Sequence, residues 1–414
     1  MAKKVHITLV GGQPAPVFQG IKYSNPDKII YICSEESKKE IENIQNTLNQ
    51  IKEDSLLNYS EIEEKVVSVE NVTEIETIIK DILAQENGNE ISMNLSSGVK
   101  LWSMLFQQHA PESAHVYCIS QNCTILTTKG DTKDTNTQIR FSMFSQCKLL
   151  DRTLNPGNYI PYKDYTNIDQ ENYEVIAELY KQPGFPELLN QMMREHNQYG
   201  NRYLEGNQFV GDDLSYIKYD SEKKEFTIKW NNKYHIQGPH ATSMLLDSGW
   251  IKYAAATLLE NIYKPENIYT ENIYTNCILK KDNFPDISMD IMVNTGNKLI
   301  FVECQIGDTQ EDKEAWEAQQ NANSQKEADK KTEAAKKIYT DILGKFTQNV
   351  RTCGGLASKL LFITLRPNQT CENICNASKR PHINYCSLYN HQGNLISSQD
   401  LKAYIDTFIN QSNL

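Results

Sequence analysis

Ile91-Ser92-Met93-Asn94-Leu95 runs directly into Ser96-Ser97-Gly98-Val99-Lys100, and Leu101 to Gln108 then returns to an apolar-rich pattern. The first stretch reads as a buried strand and the last as a helix. The polar, glycine-bearing segment between them reads as the strand-to-helix turn. Working outward, Val5 to Val10 is a first apolar strand, broken by Gly11-Gly12-Gln13-Pro14 and followed by a helix around Val17 to Tyr23. Lys28 to Cys33 is a second strand, and Ser34-Glu35-Glu36-Ser37 opens an amphipathic helix to about Leu56. Val66 to Val72 reads as a third strand, Val72 to Gln85 as a helix, and Ala114 to Ile119 as a fifth strand. Strands alternating with helices give an α/β fold with a parallel sheet covered on both faces.

Ligands of such sheets sit beyond the carboxyl ends of the strands. Asn94-Leu95-Ser96-Ser97-Gly98-Val99-Lys100 lies at such an end. There the backbone N–H groups and the positive end of the following helix face whatever rests above the sheet. Ser96 and Ser97 add hydroxyls, Gly98 allows close backbone approach, and Lys100 can neutralise a phosphate. Gly12 and Gln13 end the first strand, and Ser34 and Glu35 end the second, so three loops converge on one edge. The plainer reading is that Ser-Ser-Gly caps the helix that starts at Val99. The loop is neither a Walker A sequence nor a GxGxxG fingerprint.

The chain continues differently. Asp151 to Gln170 is rich in Pro, Asn and Tyr and reads as a connector. Asn172 to Asn197 reads as helix interrupted at Pro183-Gly184, and Leu214 to Ile236 alternates like an antiparallel hairpin with a turn at Asp220 to Lys224. A helix follows Gly249, and strands fall near Asn276, Ser288, Lys298 and Leu360. Asp308 to Lys337 is polar and charged, a solvated insertion before a helix ending near Phe346. Within this half, Ser288-Met289-Asp290-Ile291-Met292-Val293, the Thr295-Gly296-Asn297 turn and Lys298 to Gln305 form a candidate hairpin that sets Asp290 beside Glu303. Two carboxylates with the Cys304 carbonyl make an all-oxygen set suited to Mg²⁺ or Mn²⁺. An ordinary hairpin with two exposed acids is the plainer alternative. His235 and His240, five residues apart, read as structural or exposed, and Cys371 and Cys375 lack the second pair that a zinc site needs.

At 414 residues the chain suits two domains with a small connector, divided at 1–145, 146–212 and 213–414. Its formal net charge of −11 argues against a general nucleic-acid coat protein but not against a nuclease. No run of 18 apolar residues occurs, and the start lacks a signal-peptide pattern. The expectation is a cytoplasmic protein with no membrane partner, its ten scattered cysteines reduced.

The Asn94 to Lys100 segment resembles the Asn-x-Thr-Gly-Gly-Thr-Lys loop of CRISPR-associated Rossmann fold (CARF) domains. Leu9-Val10-Gly11-Gly12-Gln13-Pro14-Ala15-Pro16 resembles their first-strand loop, and the likeness spans about the first 140 residues. Ser96, Ser97 and Val99 depart from the family's Thr, Gly and Thr. The Asp290 and Glu303 spacing resembles the core of PD-(D/E)XK nucleases. Leu245 to Ile251 and Cys353 to Lys359 resemble segments of CARF-fused nucleases. The resemblance implies a Rossmann-like amino-terminal CARF domain and a carboxy-terminal α/β restriction-endonuclease-like domain. It implies a homodimer that binds a cyclic oligoadenylate, cyclic tetra-adenylate foremost, through Gly12, Gln13, Ser34, Glu35, Asn94, Ser96, Ser97, Gly98, Val99 and Lys100. It further implies cleavage of single-stranded nucleic acid or supercoiled DNA, with Asp290, Glu303 and Cys304 on the metal and Gln305 where the family places lysine. Lys345 or Lys359 could replace that lysine, and Lys252 stands near where the family often places an acid, with Glu260 two turns later. A sensing protein whose nuclease unit is inactive is the alternative that Gln305 keeps open, and a metabolic nucleotide-binding enzyme is a third.

Overall fold

A computed structural model of the chain describes residues 2–55, 57, 59–120, 124–130, 142–154, 167–182, 184–246, 249–263, 273–295, 299–305, 333, 336, 337, 339–348, 358–365, 367–377, 383–390, 392 and 394–410. Gly296 and Asn297, most of the polar run from Asp308, and the turn from Cys353 to Ala357 lie outside them.

The amino-terminal sheet contains β1 (Lys4–Leu9), β2 (Lys28–Cys33), β3 (Glu61–Val66), β4 (Glu90–Asn94), β5 (His115–Ile119) and β6 (Ile125–Lys129), in the order β3-β2-β1-β4-β5-β6. The first five strands are parallel, and β6 runs antiparallel to β5. β1 and β2 are buried along nearly their whole length, as continuous Val/Ile/Leu runs must be when helices cover both faces. The helices are α1 (Pro14–Ser24), α2 (Lys38–Ser55), α3 (Val72–Gln85) and α4 (Lys100–His109). The α/β class expected from the alternation holds. The third strand differs: it lies at Glu61–Val66, not from Val66 onward. Its charged residues hide it in the sequence, but an edge strand carries charge to deter further pairing.

The strand order reverses direction between β1 and β4, which pair in register from Lys4 with Glu90 to Thr8 with Asn94. This is the switch point of an open α/β sheet, where a crevice forms because the two flanking loops leave in opposite directions.

α5 (Met143–Leu149) joins the two halves. Leu149 is buried among α1 and α2 side chains, while Met143 and Cys147 belong to the core under the second large sheet. Gln146 donates from Nε2 to Asn294 Oδ1 at 2.7 Å. Directly after it, β7 (Thr153–Leu154) pairs with the edge of that sheet.

The carboxy-terminal half follows as α6 (Asn167–Tyr180), α7 (Phe185–Tyr199), a 3₁₀ turn at Gly200–Glu205, β8 (Gln208–Gly211), β9 (Ser215–Asp220), β10 (Glu225–Trp230), β11 (Asn232–Ile236), α8 (Ala241–Leu246) and α9 (Gly249–Ile262). β8 to β11 form an antiparallel four-stranded sheet in sequence order. β12 (Ile273–Lys280), β13 (Ile287–Asn294), β14 (Leu299–Gln305), β15 (Lys359–Thr364) and β16 (Ile383–Ser387) form, with β7, a mixed sheet ordered β16-β15-β14-β13-β12-β7. α10 (Gln369–Ala377) and α11 (Ser398–Asn410) complete the described elements, with a helical run over 339–348. One face of the mixed sheet packs on α9, α11 and the four-stranded sheet, and the other on α10, residues 339–348 and α5. The buried Trp250 pins α9 by donating from Nε1 to the Tyr173 carbonyl at 3.1 Å and stacking on that ring.

Candidate functional site

The switch-point crevice is built by hydrogen bonds between its loops. The Gly11 N–H donates to Ser97 Oγ at 3.0 Å, and a Cβ on Gly11 would lie 2.7 Å from the Gly98 nitrogen, so the two loops touch. Asn94, fully buried, donates from Nδ2 to the Pro16 carbonyl at 2.9 Å. Its Oδ1 accepts from the Ser96 N–H at 3.1 Å and from the Ser96 hydroxyl. Ser96 Oγ in turn accepts from the Ile119 N–H at 2.6 Å. Asn94, Ser96 and Ser97 therefore fix the frame. Gly12, Gln13, Gly98 and Lys100 are the exposed members.

The Ser-Ser-Gly segment does not cap α4. Its N-cap is Val99, and no side chain satisfies the first amides. α1 begins at Pro14 after Gln13, likewise with no side-chain cap, but Pro14 and Pro16 in its first turn carry no N–H. Two helix N-termini, following the strands that flank the switch point, thus face one edge, and α4 supplies most of the amides there. Ser34 is half-buried, and its N–H and hydroxyl are bonded to Ser37 Oγ at 3.0 and 3.2 Å, while Glu35 is exposed. Ser34 shapes the turn into α2. Trp102 Nε1 reaches the Ser68 carbonyl at 2.8 Å and brings the β3–α3 loop to the same rim.

The second constellation lies on β13 and β14. The pairing runs Asn294 with Leu299 to Ile291 with Val302, which sets Asp290 across from Glu303 at its next step. Asp290 Oδ2 accepts the Cys304 N–H at 2.8 Å, and Asp290 Oδ1 lies 2.8 Å from Lys252 Nζ on α9. Lys252 also reaches Asn276 Oδ1 at 3.3 Å. Asn276 sits on β12 with φ +51°, a left-handed conformation that asparagine tolerates better than most residues. Glu303 Oε2 is buried and has no hydrogen-bond partner. Burial first, then the negative charge of Asp290, pushes the Glu303 carboxyl far above its usual range. Burial alone would depress the Lys252 ammonium, but Asp290 outweighs it and holds the group protonated.

Among the described residues, no group of three His, Cys, Asp or Glu side chains forms a metal cage. The chain offers a cation two carboxylates, one with an orphaned buried oxygen. That donor set fits one Mg²⁺ or Mn²⁺ whose other positions are filled by water and substrate oxygens. Cys304 is buried and contributes its N–H to Asp290. Gln305 closes β14, half-buried, two residues beyond Glu303. Lys359 is buried on β15 opposite Ile300, and Lys345 is exposed on the 339–348 helix, so neither is placed with the acids by the strand register. Sequence reasoning noticed Lys252 but not its partner, because helix-to-strand docking is non-local. His235 pairs with Glu225 and His240 with Asp169 at 3.0 Å.

Residues 5–143 match the family model described as the Card1 CARF domain. The whole chain is similar in structure to Can2 from Sulfobacillus thermosulfidooxidans, solved in complex with cyclic tetra-adenylate. The TM-score is 0.64 at 13% identity, over 98% of this chain and 97% of that one. Protein VC1899 from Vibrio cholerae gives 0.62 at 13% identity over 98% and 97%. A type III CRISPR defence DNA nuclease activated by cyclic oligoadenylate gives 0.51 at 13% identity, over 97% of this chain and 51% of that chain. At such identities the likeness is one of fold. Among proteins of curated function, none matches the sequence.

Proposed function

We propose that this chain is a metal-dependent nuclease switched on by a cyclic oligoadenylate, acting in type III CRISPR defence. The observation that carries the reading is Glu303, a half-buried acid with one buried, orphaned oxygen, across the β13–β14 pairing from Asp290, in a chain whose residues 5–143 match a CARF domain model. The division into a sensing unit, a connector and an effector unit is part of this reading. The ring-shaped ligand would rest on Gly12, Gln13, Gly98, Val99 and Lys100, where uncapped amides and an ammonium meet phosphate charge. Cyclic tetra-adenylate is the first candidate, since the Can2 structure holds it. A second copy of the chain would complete the crevice: Val69, Val72 and Met104 leave apolar side chains exposed beside its rim.

At the effector site, Asp290 and Glu303 would hold the divalent cation, which when bound stabilises charge on a phosphoryl oxygen and lowers the pKa of water. Gln305 orients water through its amide. Lys252 supplies, from a helix, the positive charge that the related pattern carries two residues after the glutamate, and its contact with Oδ1 holds the Asp290 side chain in place. The substrate is single-stranded nucleic acid or supercoiled DNA, and the setting is the cytoplasm. No described helix is long and apolar enough to cross a membrane.

A second reading has its own support: both oxygens of Asp290 are engaged by the chain itself, and Gln305 replaces a lysine. A regulator that senses the ligand and cuts nothing would look the same. Cleavage of labelled DNA and RNA with Mn²⁺, with and without cyclic tetra-adenylate, separates them. Ligand-dependent cutting that Glu303→Gln abolishes, with ligand affinity unchanged, is the expected result. No cutting under any condition sinks the nuclease, and thermal stabilisation by mononucleotides rather than the ring sinks the sensor as well.

A further inference from the structure

The four-stranded sheet β8 to β11 has one face in the core and one in solvent. Val210, Ile217, Phe226, Ile228 and Ile236 point inward. The alternate positions point outward, and the register arranges them in rows. Phe209 pairs with Lys218, which pairs with Thr227, which pairs with His235. Beside that row, Gly211 pairs with Tyr216, then Lys229, then Lys233. Phe209 is 54% exposed, and its ring centroid lies 5.3 Å from that of Tyr216. The Lys229 ammonium sits 5.9 Å from the Tyr216 ring centroid. Among the described ion pairs, neither Lys218 nor Lys233 appears. The acids nearby lie toward the rims: Asp212 and Asp213 in the β8–β9 turn, where the Lys229 ammonium donates to the Asp213 carbonyl at 2.5 Å, and Asp220 opposite Glu225 at the other end, Glu225 being paired with His235.

From this we infer that the outer face is a binding platform for single-stranded nucleic acid. Two adjoining rings offer stacking to bases of any identity, and three lysines one to three strands away, about 5–15 Å, can follow the phosphates. The charge makes the choice of occupant. In a chain of net charge −11, a face carrying lysines without acids in its two central rows favours a polyanion. Lysine is depleted at protein–protein interfaces, which argues against a second copy or another protein there. Stacking needs unpaired bases, so a single strand fits and an intact duplex does not. The proposal rests on the nuclease reading for the fate of the strand, and it assigns the platform the capture of substrate outside the cleavage site.

The test uses the full chain with EDTA present, so that binding is read without cutting. Fluorescence anisotropy of labelled oligothymidylate and oligouridylate is compared for the wild type, Phe209→Ala/Tyr216→Ala and Lys218→Glu/Lys229→Glu/Lys233→Glu. Both variants are expected to bind at least tenfold more weakly. The lysine variant should also show a shallower dependence on salt, with melting temperature and cyclic tetra-adenylate affinity unchanged in each. Wild-type affinity in either variant overturns the platform, as does a shift from dimer to monomer in gel filtration, which would mark the face as a self-contact. Weakened binding in a chain that cuts nothing leaves the platform and sinks the nuclease. Unchanged binding in a chain that still cuts does the reverse.

Discussion

Lys252 and Glu303 make opposite predictions though they occupy one site. Lys252 is the cation paired with Asp290 and felt electrostatically by Glu303, so Lys252→Met leaves the two acids facing each other without it. Removing one partner of a desolvated charge group is costly, so the melting temperature should fall. Loss of one preorganised charge at the reacting phosphate should slow cleavage about a hundredfold, and Lys252→Arg should restore part of it. Glu303→Gln should also stop cleavage, but with the melting temperature held or raised, because a neutral amide takes the place of a carboxyl whose charged form desolvation and Asp290 already disfavour. Calorimetry beside a cleavage assay reads both, and an equal stability loss in the two variants would refute the arrangement. In the other half, His6 is fully buried, with Nδ1 2.9 Å from Ser92 Oγ. Burial, with His115 nearby, lowers its pKa from 6.5 to about 3. The unfolded chain therefore takes up a proton near pH 6.5 that the fold refuses. The stability present above pH 6.5 is lost as pH falls toward 3, by about 2 kcal/mol at pH 5. Urea midpoints at pH 7 and pH 5 should differ less in His6→Gln, which removes that titration.

Element scale separates what the sequence discloses from what it hides. The βαβ alternation from β1 to β5 was legible because buried parallel strands are unbroken apolar runs. The edge strand β3 was not, since Glu61, Glu63 and Lys65 alternate with apolar residues too weakly to stand out. The Asn94 to Lys100 loop was legible as a strand-to-helix turn, but its hydroxyls could not be assigned. Ser96 and Ser97 satisfy Asn94, Ile119 and Gly11, contacts made across other strands, and α4 is left uncapped. Lys252 was out of reach for the same reason, because its partner lies on a strand that only docking brings near. The loop's backbone is testable through its glycines. Gly98 has φ +79°, and a Cβ there meets Trp102 at 3.0 Å and Leu9 at 3.1 Å. Gly98→Ala should cost about 1–2 kcal/mol from the left-handed backbone alone, and Gly11→Ala should destabilise by pressing on the Gly98 nitrogen. Gly12→Ala meets nothing within 4 Å, so stability should stay constant and any loss should fall on ligand affinity. Thermal melts with titration of cyclic tetra-adenylate distinguish the three, and a destabilised Gly12→Ala would contradict this picture of the rim.

Across the whole molecule, a signal from the crevice to Asp290 has a short physical route. α1 begins at the crevice, α5 packs against α1 and α2 through Leu149, and Gln146 on α5 holds Asn294 at the end of β13, the strand that carries Asp290. β7, only a few residues farther, is a strand of the same sheet. A ligand can bias this linkage only by binding one arrangement better than the other. Coupling of that kind is reciprocal: if cyclic tetra-adenylate tightens nucleic-acid binding by some factor, nucleic acid tightens cyclic tetra-adenylate by the same factor. Both affinities are measurable in EDTA with uncut strand, each in the presence and absence of the other ligand. Gln146→Ala removes the 2.7 Å bond without touching either proposed site. It should leave each ligand's affinity alone within about twofold and shrink both coupling factors together, with a matching fall in ligand-stimulated cleavage. Equal coupling in Gln146→Ala and wild type would place the route elsewhere. Loss of intrinsic affinity instead of coupling would show that α5 supports the crevice rather than linking it to the acids.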